Sequence, residues 1–218
     1  MTIPEETYIL VGMKTKNPDQ TRKSLLEAAY LEIQRHGFQA ASLADILSHT
    51  GLTKGALYHH FPNKLALGYA VVDEVIREEI ASYWITPLAA HENPIDGLRR
   101  ILQQVAQDMG QQCTQSGCLL NNLAQEMSLV DEGFRQRINN IYIDWRAAMG
   151  QALVKGQFNH SVRPEINPHA AATFIIAAIE GCVSMAKNAN DVNLLFECGE
   201  GLMHYLETLR APRIKRGR

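Results

Sequence analysis

Apolar residues recur at helical spacing along nearly the whole chain, and capping signals cut that pattern into segments. Asn17-Pro18 supplies an N-cap followed by proline in the first turn; Leu25, Leu26, Ala28, Ala29 and Ile33 then mark one face, and Gly37 closes the helix. Ser42 caps a short segment, 43–50, ended by Gly51, and Thr53 caps a third, 54–61. Pro62 breaks it, and Asn63 caps a long helix expected to reach about Trp84. Pro87 and then Asn93-Pro94 predict the next breaks. Further helices are predicted at about 95–112, 119–128, 131–156, 168–187 and 192–209, with Asn167-Pro168 repeating the start seen at 17–18. No stretch alternates with period two between turn signals, so the predicted fold is all-α.

These segments group into a compact head of three short helices and a larger helical body, with the boundary inside the fourth helix. The expected divisions are an extension at 1–16, a head at 17–64, a body at 65–209 and a basic tail at 210–218. Tyr8-Ile9-Leu10-Val11 in the extension is apolar but too short to form a domain. Met13-Lys14-Thr15-Lys16 leads directly into the first helix and suggests Met13 as an alternative native start.

Composition and charge narrow the functional classes. With 218 residues, 46% hydrophobic and 20% charged, the chain can bury a core and is not a disordered polymer. Acids at Glu5 and Glu6, and apolar runs far below the roughly 20 residues of a spanning helix, support neither secretion nor membrane insertion. A cytoplasmic setting, with four reduced cysteines, is expected. No cofactor is implied, and Cys113 and Cys118 lack a second ligand pair for zinc. The net charge of −2 conceals a polarity: seven basic against six acidic residues over 1–64, nine against seventeen over 65–209, and five against none over 210–218. The acidic body should be repelled by a polyanion, whereas the head can approach one.

Residues 42–64 carry the chemistry. Two capped helices of about eight residues meet at His49-Thr50-Gly51-Leu52, the helix-turn-helix pattern. Leu43, Ile46, Leu47, Leu52, Leu57 and Phe61 supply the apolar side, leaving Lys54, Gly55, Tyr58 and His59 on one outward face. That face suits a major groove: Thr53 at the helix start can meet phosphate, Lys54 a guanine edge or phosphate, and Tyr58 a phosphate or thymine methyl. Gly55 allows close backbone approach, while Ser42, His60 and Lys64 are placed to clamp the DNA backbone.

The stretch Gly51-Leu52-Thr53-Lys54-Gly55-Ala56-Leu57-Tyr58-His59-His60-Phe61-Pro62-Asn63-Lys64 closely resembles the signature of the TetR family of bacterial transcriptional regulators, and Ala28-Ala29 with His36-Gly37-Phe38 fits the family's head. The resemblance covers about residues 18–70. It implies a cytoplasmic, nucleoid-associated homodimer whose two heads grip a pseudo-palindromic double-stranded operator. It also implies a ligand cavity in each body and repression released by a small-molecule inducer. Ala44 stands where other members carry a long polar side chain, which argues against base reading from the second helix.

In the body, Trp84, Met109, Cys118, Asn122, Met127, Trp145, Met149 and Phe174 are the candidate ligand-binding residues, being soft, aromatic or polar side chains suited to an adaptable pocket. Ser116-Gly117-Cys118-Leu119 resembles a segment of TetR relatives that sense electrophiles or oxidants through the cysteine, and a position at a helix start predicts a depressed thiol pKa. Cys118 is therefore also the redox-switch candidate. Small residues at 168–187 (Ala170, Ala171, Ala172, Ala177, Ala178, Gly181) and Leu194, Leu195, Leu202, Tyr205 and Leu206 at 192–209 predict the dimer surface, with an intrachain bundle as the alternative. The tail is expected to be solvated. A Cys/His enzyme using Cys118 with His91 or His169, or a helical protein-binding adaptor, are the competing classes; no nucleophile elbow or phosphate loop supports catalysis.

Overall fold

The caps foreseen from the sequence all bind backbone in the computed structural model, which describes residues 17–212. Asn17 opens α1 (Pro18–Ala40), Ser42 opens α2 (Leu43–Thr50) and Thr53 opens α3 (Lys54–His60), each side chain accepting from a first-turn N–H. Gly37 leaves the helical conformation at φ 78°, so the regular part of α1 ends there. Gly51 takes the left-handed conformation at φ 64°, ψ 15° and turns the chain between α2 and α3. Leu25, Ala29, Ile46, Leu57 and Phe61 close the core of the head.

Asn63 opens α4, which runs over residues 64–89 as one rod with two π-helical stretches, Val71–Ile76 and Ala81–Ile85. The sequence pattern ends this helix near Trp84 with a break at Pro87; instead, Pro87 sits inside it. The wider turn explains the difference. The Thr86 N–H reaches back to the Ala81 carbonyl, five residues away, so the ladder is already displaced where the proline ring would clash.

The rest of the body comprises α5 (Pro94–Ser116), α6 (Leu119–Met127), α7 (Glu132–Phe158), α8 (Pro168–Ala189) and α9 (Asn193–Leu209). The described residues thus form nine helices, joined by one isolated bridge between Val162 and Arg210. Helix α8 is apolar and long enough to span a membrane by composition, but it packs on α5, α7 and α9. Ala171, Ala172, Leu202 and Leu206, expected on the dimer surface, instead face this interior. The extension 1–16 and its Met13 start, like tail residues 213–218, lie outside the described residues. Arg210 is not solvated as expected: it donates to Asp96 at 2.8 Å and Glu207 at 2.7 Å.

Head and body meet along α1. Phe38 stacks on Phe134 of α7 with ring centroids 4.5 Å apart, and Arg22 pairs with Glu74 of α4. At the end of α1, the Phe38 and Gln39 N–H groups donate to the Glu126 carboxylate of α6 at 2.9 and 2.8 Å. A Cβ on Gly37 would come within 2.9 Å of that carboxylate.

Candidate functional site

Two places in the fold are the candidates for function: the outer face of α2 and α3, and a cavity inside the body. The first is set locally. Thr53 accepts the Ala56 N–H at 3.2 Å, fixing the start of α3, and Leu57 turns inward. Lys54, Gly55, Tyr58 and His59 consequently stand in solvent, with Tyr58 52% exposed despite its size. A methyl group on Gly55 would meet only Thr53 Oγ1, at 3.8 Å. Packing within the chain therefore does not demand glycine there, although glycine costs a helix about 1 kcal/mol relative to alanine. Ser42 Oγ is occupied in capping, accepting from Ala44 and Asp45, but its residue remains part-exposed.

His60 and Lys64 depart from the simple picture of free clamps. His60 is part-buried between His59 and Phe61, with ring centroids 5.1 and 6.3 Å away. Lys64 donates to the Gln39 carbonyl at 2.9 Å and lies over the Phe38 ring. Partial burial lowers its pKa, and the Glu126 charge partly offsets this.

The body cavity has a volume of about 620 Å³, within the range of small-molecule sites. Of the candidates expected from sequence, Trp84, Met109, Cys118 and Trp145 line it. The other four candidates do not. Met127 and Met149 are core residues, 2% and 1% exposed, held by the packing of α6 and α7. Asn122 braces a turn, donating to the Ser116 carbonyl at 2.7 Å and accepting from Lys187 at 3.0 Å. Phe174 points out of the body, 53% exposed, and meets Tyr205 edge-to-face with ring centroids 4.6 Å apart. His91 and His169 are not on the wall, so the fold does not bring the enzyme candidates together with Cys118 there.

The wall also includes Tyr30, Glu79, Cys113, Glu180, Cys182 and Cys198, which the sequence pattern does not distinguish as ligand-binding. All four cysteines of the chain thus face one cavity. A signal exists for Glu180, the lone acid in the apolar stretch 168–187. Its carboxyl Oε1 accepts from Cys118 Sγ at 3.4 Å and Tyr142 at 3.5 Å, and burial pushes its pKa up to about 7. Glu79 is likewise raised by burial, while Tyr30 donates to both its oxygens at 3.0–3.1 Å.

The thiol chemistry expected of Cys118 is reversed. It does precede α6, yet burial and then the Glu180 carboxyl push its pKa well above the ordinary value. Desolvation outweighs the helix terminus, and the sulfur is held as a thiol. Burial also raises Cys113, to about 11, and Cys182, to about 12, the latter with help from its Cys198 neighbour.

The comparisons with known proteins agree with both halves. Residues 25–71 match the family model for bacterial regulatory proteins of the tetR family, and residues 94–200 match that for the C-terminal domain of LmrA/YxaF-like transcriptional regulators. The chain belongs to the TetR family. It is a DNA-binding transcriptional regulator with a helix-turn-helix head, and members of this family bind operator DNA as homodimers. It is 28% identical to the HTH-type transcriptional regulator LmrA of Bacillus subtilis, over 82% of this chain and 94% of LmrA. It is 25% identical to the transcriptional repressor DhaR of a Mycobacterium species, over 76% of this chain and 82% of DhaR. The crystal structure of reduced Escherichia coli NemR superposes with a TM-score of 0.77 at 26% identity, covering 89% of this chain and all of that one.

Proposed function

We propose that this TetR-family protein is a cytoplasmic repressor that grips a pseudo-palindromic operator as a homodimer and lets go when a small molecule enters the body cavity. Residues 17–64 are the DNA-binding unit, 65–209 the effector and dimerisation unit. Ser42, Thr53, Lys54, Tyr58, His59, His60 and Lys64 meet the DNA, and Gly55 lets the α3 backbone approach it. The open space beside Gly55 supports that reading, since no partner within the chain uses the room.

The observation that carries effector release is the double joint between cavity and head. Tyr30 of α1 lines the cavity and donates to Glu79 on its wall. Helix α6 begins beside the cavity at Cys118 and ends by holding the end of α1 through Glu126. A ligand that displaces either contact moves α1, and with it the separation of the two recognition helices, away from the roughly 34–36 Å that successive major grooves require.

For the dimer, we propose the outer faces of α8 and α9. Phe174, Ala177, Gly181 and Met185 form one exposed stripe on α8, and Phe196 continues it on α9. Small residues on such a stripe permit the close approach of a second pair of helices.

The test is selection of bound duplexes from a random pool at two salt concentrations. One recovered pseudo-palindrome, bound with steep salt dependence, is the expected result. Weak binding without a motif would overturn the operator reading.

A thiol-sensing repressor is the second reading, favoured by the gathering of all four cysteines on the cavity wall. Operator binding by Cys118→Ser with and without oxidant tests it: an unchanged oxidant response removes Cys118 as the switch.

A further inference from the structure

The cavity holds carboxyl groups with no cation set against them. Glu79 and Glu180 both line it, Glu200 stands at its α9 side, and no lysine or arginine lines it among the described residues. Lys187 of α8 is turned to Asn122 instead. Glu180 is 7% exposed, and its two hydrogen bonds, at 3.4 and 3.5 Å, both fall on Oε1. Its Oε2 is buried and receives no hydrogen bond, and the buried Trp145 Nε1 donates none. A carboxylate oxygen left bare in the interior is costly, and buried polar groups in native proteins nearly always find a partner. The partner of Oε2 is therefore to be sought in the cavity.

The remaining wall narrows what that partner is. Trp84 and Trp145 lie with ring centroids 5.3 Å apart, Tyr30 and Tyr83 add two further rings, and Ile76, Ile80, Leu102 and Leu120 are aliphatic. Aromatic faces and a desolvated carboxylate together form the complement of an apolar molecule carrying positive charge. An anion would enter against the buried Glu180 and the part-buried Glu79, and no lysine or arginine on the wall would offset them.

We propose that the cavity binds lipophilic organic cations, with Glu180 as the counter-charge and the Trp84 and Trp145 rings as the faces that receive them. The inference deepens the effector reading above, although cation binding itself requires no operator.

The pH dependence follows from the groups around Glu180. Cys118 before α6, Tyr142 on α7 and Cys113 on α5 face it and have raised pKa values, so they remain protonated and uncharged through neutrality. Glu79 on α4 is raised by burial, and Tyr30 on α1, Tyr83 on α4, Cys182 on α8 and Cys198, Glu200 and His204 on α9 complete the titratable wall. Cation binding needs Glu180 ionised. It strengthens as pH rises through about 7 and levels off above that. A ligand that accepted a hydrogen bond from the protonated carboxyl would show the opposite slope.

The experiment is calorimetric titration of the full chain with tetraphenylphosphonium and with tetraphenylborate, permanent ions of nearly the same shape and opposite charge. Tetraphenylphosphonium should bind, its affinity falling about tenfold per pH unit below neutrality, and tetraphenylborate should bind at least about a hundredfold more weakly. Glu180→Gln should lose at least about tenfold in tetraphenylphosphonium affinity at about pH 8 and flatten the pH profile. Equal binding of the two ions, binding of neither, or an unaltered profile in Glu180→Gln overturns the proposal. The two ions are compared on the unaltered protein, so the outcome does not depend on the folding of a variant. Operator DNA is titrated separately. Tetraphenylphosphonium that binds without loosening operator leaves the cation site standing and removes the effector reading; operator binding without any cation binding does the reverse.

Discussion

The head presents its face from one contiguous stretch, residues 42–64, whereas the cavity wall draws on side chains from Tyr30 to His204. In the head, each exposed side chain owes its direction to caps and apolar neighbours within the same short stretch of chain. In the cavity, the character of each group is set by partners distant in sequence. Cys118 and Glu180 are 62 residues apart, and each changes the protonation of the other. Local chemistry thus makes the exposed face of the head, and tertiary desolvation makes the cavity.

That contrast predicts separable failures. The largest effect should come from the chamber. Glu180 has a folded pKa raised to about 7 from an ordinary 4.5, so the folded state binds its proton more tightly than the unfolded one. The ionised carboxyl therefore costs stability increasingly between those values, up to about 3 kcal/mol above neutrality. Glu180→Gln should raise the melting temperature at pH 8 and leave it nearly unchanged at pH 4; equal effects at both would show that packing, not ionisation, is responsible.

Tyr58→Ala comes next and tests the other region. It should weaken operator binding by about 1–3 kcal/mol while the melting temperature and dimer stay put. A lowered melting temperature would mean that the ring serves the fold despite its exposure.

Gly37→Ala probes the joint between the two. The backbone there is open to few residues besides glycine, and the added methyl meets Glu126, so a loss of about 1–3 kcal/mol in stability is expected by denaturant unfolding. Ser42→Ala should cost about 1 kcal/mol through the lost cap of α2. Smallest of all, Lys54→Ala should reduce the logarithmic salt slope of operator binding by about one and leave stability alone.

The same contrast explains how much of the molecule is legible in its sequence. Every helix start in the head is marked by Asn, Ser or Thr, because capping is a local exchange between a side chain and the next two or three amides. The continuation of α4 through Pro87 is hidden, since the π turns that accommodate it leave no composition signal. Half of the ligand candidates fall away from the cavity for a similar reason. Met149 and Phe174 are both apolar residues on amphipathic helices, and nothing local says that one faces the core and the other solvent. The sign of the Cys118 shift escapes a sequence reading because the helix position is visible there and the burial beside Glu180 is not. Even so, a single acid in an otherwise apolar and small-residue helix is a legible anomaly.

The chain contains two tryptophans, and both line the cavity, 5.3 Å apart. Its tryptophan emission therefore originates in the chamber and nowhere else in the molecule. The protein carries an intrinsic optical reporter of its interior: a guest that settles between the α4 and α7 rings is expected to quench or shift that light, and the cavity can be followed without an attached dye.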